Sequence, residues 1–157
     1  MLAAQEGTHL HFLNNLASIK VPASRSGSMS VVEFLAPRGF GPPTHRHEEE
    51  DELFLVLEGE LVFRAGELEI PGGPGTYAHL PRAVPHTFQV VSDTARFVNV
   101  TSSPTTTPQF DLMVSALGVP VAEPTMPEPG YIDPARVAEV CHRYGIEIVG
   151  PPPPALD

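Results

Sequence analysis

The stretch of sequence that decides the fold runs from Gly39 to Gly59 and reads GFGPPTHRHEEEDELFLVLEG. Its second half, residues 52–57, predicts a β-strand in which nearly every position on both faces is apolar. The face expected to point into a barrel holds Glu52, Phe54 and Val56. The opposite face holds Leu53, Leu55 and Leu57. Because the outer face also needs cover, we expect a homodimer in which a partner subunit lies against it, with cover by a second sheet as the alternative.

Two histidines stand upstream of this strand, separated by one residue. On an extended strand the imidazoles of His45 and His47 project from the same face, as two ligands of one ion would. Glu52 lies five positions beyond His47, which is the wrong parity for an unbroken strand, so the chain must turn or bulge within residues 48–51. This acidic turn is interpreted as a solvated loop. Asp51 is the competing carboxylate, but the apolar alternation downstream favours Glu52.

A third histidine, His86, opens a later predicted strand, after Pro81 and Pro85. If that strand neighbours the first, three imidazole nitrogens and one carboxylate converge. Such a set suits Fe, Mn, Ni, Cu, Co or Zn, whereas Ca and Mg prefer shells made only of oxygen. The sequence therefore predicts one divalent transition-metal ion, held by His45, His47, Glu52 and His86.

The rest of the chain predicts a single small β-domain. Its 157 residues suit one domain, and 19 prolines and 13 glycines indicate many turns. Short, evenly spaced β-rich runs are typical of a barrel or sandwich. These runs are 30–35, 52–57, 60–63, 68–70, 76–80, 86–91 and 96–100. We expect one domain over 1–157, with a barrel core over about 28–102, an N-terminal arm over 1–27 and a helical, proline-rich segment over 103–157.

Two short helices are predicted in the C-terminal segment. Thr107 and Pro108 form an N-cap and first-turn pair for a helix that ends at Gly118. Asp133 and Pro134 begin a second helix, which ends before a glycine. The remaining predictions are a strand near 10–13, a loop over 24–30 and a strand over 146–149.

The composition excludes several classes of partner. The formal net charge is −10, with 9 basic and 19 acidic side chains, and this field repels nucleic acid. No apolar run reaches the roughly 20 residues that span a bilayer, and the N-terminus lacks the pattern of a secretion signal, so we expect a cytoplasmic protein with no membrane partner. Cys141 is the only cysteine, which excludes an internal disulfide, and its place on an apolar helix face indicates a packing residue.

The spacing of these residues resembles the conserved motifs of the cupin family. The first motif is matched at every position by Gly39, His45, His47, Glu52 and Gly59. The second motif is matched at Gly75, Pro81 and His86. In that second motif Ala83 stands where glycine is usual, and Val90 stands where asparagine is common. Neither residue is a metal ligand, so these departures affect the geometry of the turn and not the metal site. The resemblance implies an all-β double-stranded β-helix, or jelly-roll barrel, with the four residues as metal ligands.

Residues 41–47 (GPPTHRH) and 80–88 (LPRAVPHTF) are most similar to single-domain cupins of the quercetin 2,3-dioxygenase-like group. This similarity implies a metal-dependent dioxygenase that uses O₂ to act on a flavonol or another aromatic enol. Glu52 would take up the hydroxyl proton of the substrate, and Fe, Mn or Ni would be favoured over Zn, Cu or Co. Two alternatives stay open: a non-redox isomerase, lyase or polyketide cyclase that uses the ion as a Lewis acid, and a non-catalytic cupin that binds a small ligand.

Five apolar residues are candidates for lining a substrate pocket. They are Phe40, Phe63, Phe88, Phe110 and Met113. Phe88 is the leading candidate because it lies two residues after His86 and so projects from the same face of a strand. His79 lies on the preceding predicted strand and is interpreted as a histidine of the pocket rim or the surface.

Overall fold

Two antiparallel β-sheets face each other across an aromatic core. The computed structural model describes residues 2–3 and 6–156. The first sheet contains, in spatial order, Val119–Val121 (β11), Thr8–Phe12 (β1), Asn15–Val21 (β2), Met29–Pro37 (β3), Thr94–Ser102 (β10), Asp51–Glu58 (β5) and Tyr77–Leu80 (β8). The second contains Ile146–Ile148 (β12), His45–His47 (β4), His86–Val90 (β9), Leu61–Ala65 (β6) and Leu68–Gly72 (β7). The predicted all-β jelly-roll architecture is confirmed.

The strand β5 has the alternation that its sequence predicts. Its inward side chains are buried between the sheets: Glu52, Phe54 and Val56. On the outer face Leu53 is 37% exposed, and Leu55 and Leu57 are half-buried. Within the described residues the outer face therefore keeps contact with solvent, and the homodimer stays a prediction.

The N-terminal segment adds a hairpin to the first sheet. The strand predicted near 10–13 is part of β1, and β2 joins it to β3. The turn residues Leu13 and Asn14 have positive φ angles of 48° and 65°, a conformation that suits asparagine and strains leucine. The side chain of Asn14 donates to the carbonyl of Gly130 and accepts from its N–H, both at 2.9 Å. The hairpin turn is thereby attached to the C-terminal segment.

The described residues form three short helices. They are Ala23–Ser26 (α1), Phe110–Leu117 (α2) and Pro134–Arg143 (α3). The prediction of a loop over 24–30 was partly wrong, because a single helical turn forms there and ends where the Gly27 N–H, at a φ of 80°, bonds to the Ala23 carbonyl. No helix in the described part of the chain has both the length and the apolar composition needed to cross a membrane.

The two C-terminal helices differ in how well their starts were predicted. α3 begins as expected, since the Asp133 carboxylate accepts the N–H of Ala135 at 3.0 Å. α2 begins at Phe110 and not after Thr107, so that prediction was wrong. The hydroxyl of Thr107 points to the Gly27 carbonyl instead of capping the helix. The contact of Thr107 with Gly27 thus took the place of the helix cap that the local sequence favours.

The C-terminal segment forms part of the wall around the predicted ligands. β12 pairs with β4 from Ile146, opposite His47, to Ile148, opposite His45. α3 packs on β12, and α2 packs on α3 and on β3. Residues distant in sequence therefore cover the end of the barrel where the histidines lie.

Four phenylalanine rings form the centre of the core. Phe97 lies 5.4 Å from Phe34, 5.8 Å from Phe54 and 5.2 Å from Phe88, measured between ring centroids. All four rings are at most 6% exposed. Burying a side chain of this size stabilises a fold by roughly 1.5–3 kcal/mol. We therefore expect hydrophobic burial, and not an ion, to hold the domain together.

Candidate metal centre

Strands of both sheets carry the predicted ligands to one place. β4 carries His45 and His47, and β9 begins at His86, which pairs with His45 in the ladder. Glu52 comes from β5 in the opposite sheet. One ligand atom from each of these four residues lies within 4.8 Å of the others. This His/Glu cluster can hold a metal ion.

Hydrogen bonds at Nδ1 orient two of the imidazoles. The Nδ1 of His45 donates to the carbonyl of Pro43, and the Nδ1 of His86 donates to the carbonyl of Val84, each at 2.8 Å. Because a carbonyl can only accept, Nδ1 carries the hydrogen in both rings. Nε2 is therefore the nitrogen of each ring that is left to bind an ion.

Two of the three Nε2 atoms lie close to one carboxylate oxygen. Glu52 Oε2 lies 2.7 Å from the Nε2 of His86, and 3.3 Å from that of His47 without hydrogen-bond geometry. His47 Nε2 is buried and finds no hydrogen-bond partner among the described residues. A nitrogen lone pair and a carboxylate repel each other when both are buried away from water. A proton or a metal cation between them removes this repulsion. Three nitrogens and one carboxylate oxygen fit a divalent transition metal, without deciding which one.

Asn99 is a site residue that the sequence interpretation missed. Its side-chain amide donates to Glu52 Oε1 at 2.7 Å, and the residue is fully buried. Oε1 is thereby engaged while Oε2 faces the histidines. A signal was present in the sequence, because Ala95 and Phe97 precede Asn99 on the inward face of β10 and both are apolar. A polar side chain on such a face needs a partner.

Glu50 corrects the interpretation of the acidic turn as a solvated loop. Glu48 and Glu49 are exposed as expected, but Glu50 is only 5% exposed. Its Oε2 accepts from the Nδ1 of His47 at 2.9 Å, and its Oε1 accepts from the backbone N–H of Gln109. These two donors account for the inward position of one carboxylate among the four acidic residues of the turn 48–51. Spacing alone gave no reason to single out this residue.

The turn after β8 supports the cluster from the outside. Asp51, the competing carboxylate, accepts the backbone N–H of Arg82 at 2.9 Å and lies 3.2 Å from its guanidinium, so it faces away from the histidines. The N–H of Ala83 donates to the His47 carbonyl at 2.7 Å. Ala83 has a φ of 63°, the left-handed conformation that glycine adopts without strain. The departure from the cupin motif thus keeps the turn but strains it.

Burial and opposite charges set the protonation of the cluster. Burial lowers the pKa of His45 to about 4, although Glu52 opposes this shift, so the ring is neutral at pH 7. Burial alone would raise the pKa of Glu52, but His47, His86 and His45 together hold it below its usual range. Burial also opposes protonation of His47, yet Glu52 and Glu50 outweigh it and raise its pKa. Glu52 is therefore ionised, as a metal ligand must be.

An apolar cavity lies beside the cluster. Four of the five candidate pocket residues line it, namely Phe40, Phe88, Phe110 and Met113, together with His45 and Glu52. Phe63 is not part of this lining. Its ring packs behind the lining, with its centroid 5.5 Å from that of Phe54 and 6.1 Å from that of Phe88.

The cavity is narrow in this conformation. The part that can hold water-sized molecules measures about 80 Å³. The whole space between the lining side chains measures about 670 Å³ and continues into open solvent. Leu13, Pro42 and Ile148 belong to the lining and are half-buried, so each keeps part of its surface in solvent. Val137 and Cys141 of α3 complete the side covered by the C-terminal segment. The sequence did not assign these residues to a pocket, because they come from separate elements.

Comparison with known proteins agrees with this architecture. Residues 31–101 match the model of the cupin domain. Quercetin 2,3-dioxygenase from Bacillus subtilis (strain 168) is 28% identical to this chain over 107 residues, which are 64% of this chain and 30% of that enzyme. The chain therefore spans less than a third of the length of this curated relative.

Solved structures give the same result for the fold. A predicted oxalate decarboxylase from Thermotoga maritima has a TM-score of 0.59 at 17% identity, covering 66% of this chain and 99% of that one. A sugar phosphate isomerase of the cupin superfamily from Silicibacter pomeroyi has a TM-score of 0.50 at 26% identity. The match covers 57% of this chain and 59% of that one. At its low identity, the Thermotoga protein is similar in fold alone.

Proposed function

We propose that this chain, in which residues 31–101 form a cupin domain, is a metal-dependent dioxygenase of the quercetinase type. Its substrates would be O₂ and a flavonol or another aromatic enol. One observation carries the proposal: three imidazoles and one carboxylate lie within 4.8 Å of one another beside an almost wholly apolar cavity. An aromatic enol matches both parts, since its hydroxyl suits a metal and its ring suits the cavity.

The proposed metal is Fe, Mn or Ni, with Zn, Cu and Co also compatible with the donor set. His45, His47 and His86 would hold it through Nε2, and Glu52 through a carboxylate oxygen. A bound redox-active ion would supply Lewis acidity toward the substrate's oxygen and electron transfer with O₂.

Glu52 is the proposed catalytic residue. Its carboxylate is ionised, lies in the cavity lining and is oriented through Oε1 by Asn99. An ionised carboxylate in reach of a substrate hydroxyl can accept its proton, and the resulting anion is electron-rich enough to react with O₂. The rings of Phe88 and Phe110 would orient the aromatic substrate and keep bulk water away from that anion.

The charge of the cavity lining favours an uncharged substrate. Lys and Arg do not occur among its lining residues in the described part of the chain. The phosphate of a phosphorylated sugar would find no positively charged side chain among the described residues of this lining, and burying it there without one costs several kcal/mol. This supports an aromatic enol over the substrate class of the isomerase from Silicibacter pomeroyi.

Metal content and oxygen consumption test the proposal. The protein would be purified without chelator, its metals measured by mass spectrometry, and O₂ uptake recorded with quercetin and with a single-ring aromatic enol. We expect bound Fe, Mn or Ni, uptake of O₂, and a loss of about 100-fold or more in Glu52→Gln. Glu60→Gln is the matched control, because Glu60 is exposed and lies outside the cluster. Protein loaded with one of these metals that consumes no O₂ with either substrate would contradict the proposal.

A non-redox reaction is the second candidate, and the size of the cavity favours it. About 80 Å³ of room holds a small carbonyl compound more readily than a three-ring flavonol, which would need lining residues to move. The same ion would then polarise a carbonyl in an isomerase, lyase or polyketide cyclase. Bound zinc, no O₂ uptake and turnover of a small carbonyl compound would favour this candidate. Ligand binding without turnover would leave a non-catalytic cupin.

A further inference from the structure

The three histidines of the cluster differ in the partner of Nδ1. His45 and His86 donate to backbone carbonyls, whereas His47 donates to the buried carboxylate of Glu50 at 2.9 Å. A carboxylate that accepts from Nδ1 makes Nε2 a stronger electron-pair donor to a metal than a backbone carbonyl does. It also fixes the orientation of the ring more firmly. His47 is therefore the ligand whose strength and orientation depend on a second side chain.

The same carboxylate reaches the helix that covers the cavity. Glu50 Oε1 accepts the backbone N–H of Gln109, the residue immediately before α2. α2 carries Phe110 and Met113 of the cavity lining, and the ring of Phe110 lies 5.9 Å from that of His47 between centroids. One buried side chain thus joins a metal-ligating imidazole to the start of this helix.

We propose that Glu50 positions His47 for a divalent cation and, through Gln109, couples metal binding to the placement of α2 over the cavity. This inference rests on the proposed metal site. A cation on the Nε2 of His47 polarises the ring and strengthens its bond from Nδ1 to Glu50. The stronger bond holds the carboxylate, and with it the first turn of α2, in the position that encloses the substrate. Metal-loaded protein would then present a more ordered cavity than metal-free protein.

The variant Glu50→Gln leaves an acceptor oxygen for only one of the two bonds. The carboxylate offers one oxygen to each of two N–H donors, whereas glutamine has a single acceptor oxygen and places an N–H₂ group against the other donor. Glu48→Gln is the matched control, because it makes the same change two residues away on an exposed side chain. Both variants keep the length of the side chain, so differences in packing are small.

The first measurement is Co²⁺ binding, by calorimetry and by the visible spectrum of the bound ion. We expect Glu50→Gln to bind Co²⁺ about 10–100-fold more weakly than the wild type and with a shifted spectrum, because the ligand field at His47 changes. Glu48→Gln should match the wild type in both. Equal affinity and an equal spectrum in Glu50→Gln would overturn the positioning role.

The second measurement is amide hydrogen exchange over residues 109–113 with and without Co²⁺. In the wild type, Co²⁺ should slow exchange there about 10-fold, and Glu50→Gln should lose that effect. A change of less than about twofold in the wild type would overturn the coupling even if Glu50→Gln failed to fold. A wild type that binds no Co²⁺ would instead reject the proposed metal site itself, so the two failures are distinguishable.

Discussion

Replacing His86 with alanine is expected to remove most of the bound metal while the barrel stays folded. His86 is 2% exposed, its Nε2 lies 2.7 Å from Glu52 Oε2, and its Nδ1 donates to the Val84 carbonyl. The substitution removes one of three nitrogen ligands. It leaves the four core phenylalanines in place.

The cost of His86→Ala to the fold follows from these contacts. Removing one partner of a buried, charge-assisted pair costs about 3–5 kcal/mol. A domain typically unfolds with a free energy of about 5–15 kcal/mol. The metal-free variant should therefore remain folded with a lower melting temperature.

The effect on the metal is measured by thermal unfolding with and without Co²⁺. At a Co²⁺ concentration of about 100 times the wild-type Kd, binding stabilises the folded state by about 2.7 kcal/mol. This raises the Tm by about 5–10 °C in a domain of this size. Loss of a ligand should weaken binding by about 100-fold or more. The same concentration then gives the variant at most about 0.4 kcal/mol, or a rise in Tm of less than about 2 °C.

His79→Ala is the matched control for His86→Ala. His79 is exposed on β8, opposite Leu53 in the ladder, and so faces away from the cluster. Its variant should show the full rise in Tm with Co²⁺. The same full rise in His86→Ala would remove His86 from the site. A metal-free His86→Ala protein without β-sheet circular dichroism would contradict the idea that hydrophobic burial holds the barrel.

Three further predictions concern the turn, the cysteine and the outer face. Ala83→Gly should raise the Tm by about 1–4 °C, because it relieves about 1–2 kcal/mol of backbone strain at a φ of 63°, which exceeds the cost of the entropy added to the unfolded chain. An unchanged or lower Tm would argue against strain at this turn. Burial raises the pKa of Cys141 from 9.0 to about 11. Iodoacetamide at pH 8 should therefore modify the folded protein about 100-fold more slowly than the unfolded protein, and equal rates by mass spectrometry would contradict this. Because the folded pKa is the higher one, the stability that this thiol contributes is present below pH 9.0 and is lost as the pH rises toward about 11. Leu55→Glu should convert a dimer into a monomer by analytical ultracentrifugation, whereas a monomeric wild type would reject the predicted homodimer.

Much of the fold followed from local patterns in the sequence. The alternation of β5, the start of β9 at His86 and the capping of α3 by Asp133 were predicted because each depends on residues close together in the chain. The start of α2 was predicted wrongly. It depends on contacts of Thr107 and Gln109 with residues far away in sequence, and local propensity does not contain them.

The candidate site divides in the same way. Strand parity pairs His45 with His47, and the resemblance to the cupin motifs adds Glu52 and His86, so the four residues were selected before any coordinates. Asn99 was missed although its polar side chain on an apolar face was a usable signal. Phe63 was included although it packs behind the cavity, because a strand pattern gives the face of a residue but not its depth.

The sequence by itself determined a small β-domain and the set of donor atoms. Periodicity predicts the strands, residue chemistry gives the donors, and the resemblance to the cupin motifs implies the jelly-roll barrel. Only the tertiary structure decided which acidic residue of the turn is buried. Glu50 lies inside because His47 and Gln109 each offer it an N–H, and Gln109 is 59 positions away. The shape of the cavity was likewise decided by the packing of α2, α3 and β12 over the end of the barrel. Such long-range packing depends on the whole folded chain, so no short stretch of sequence encodes it.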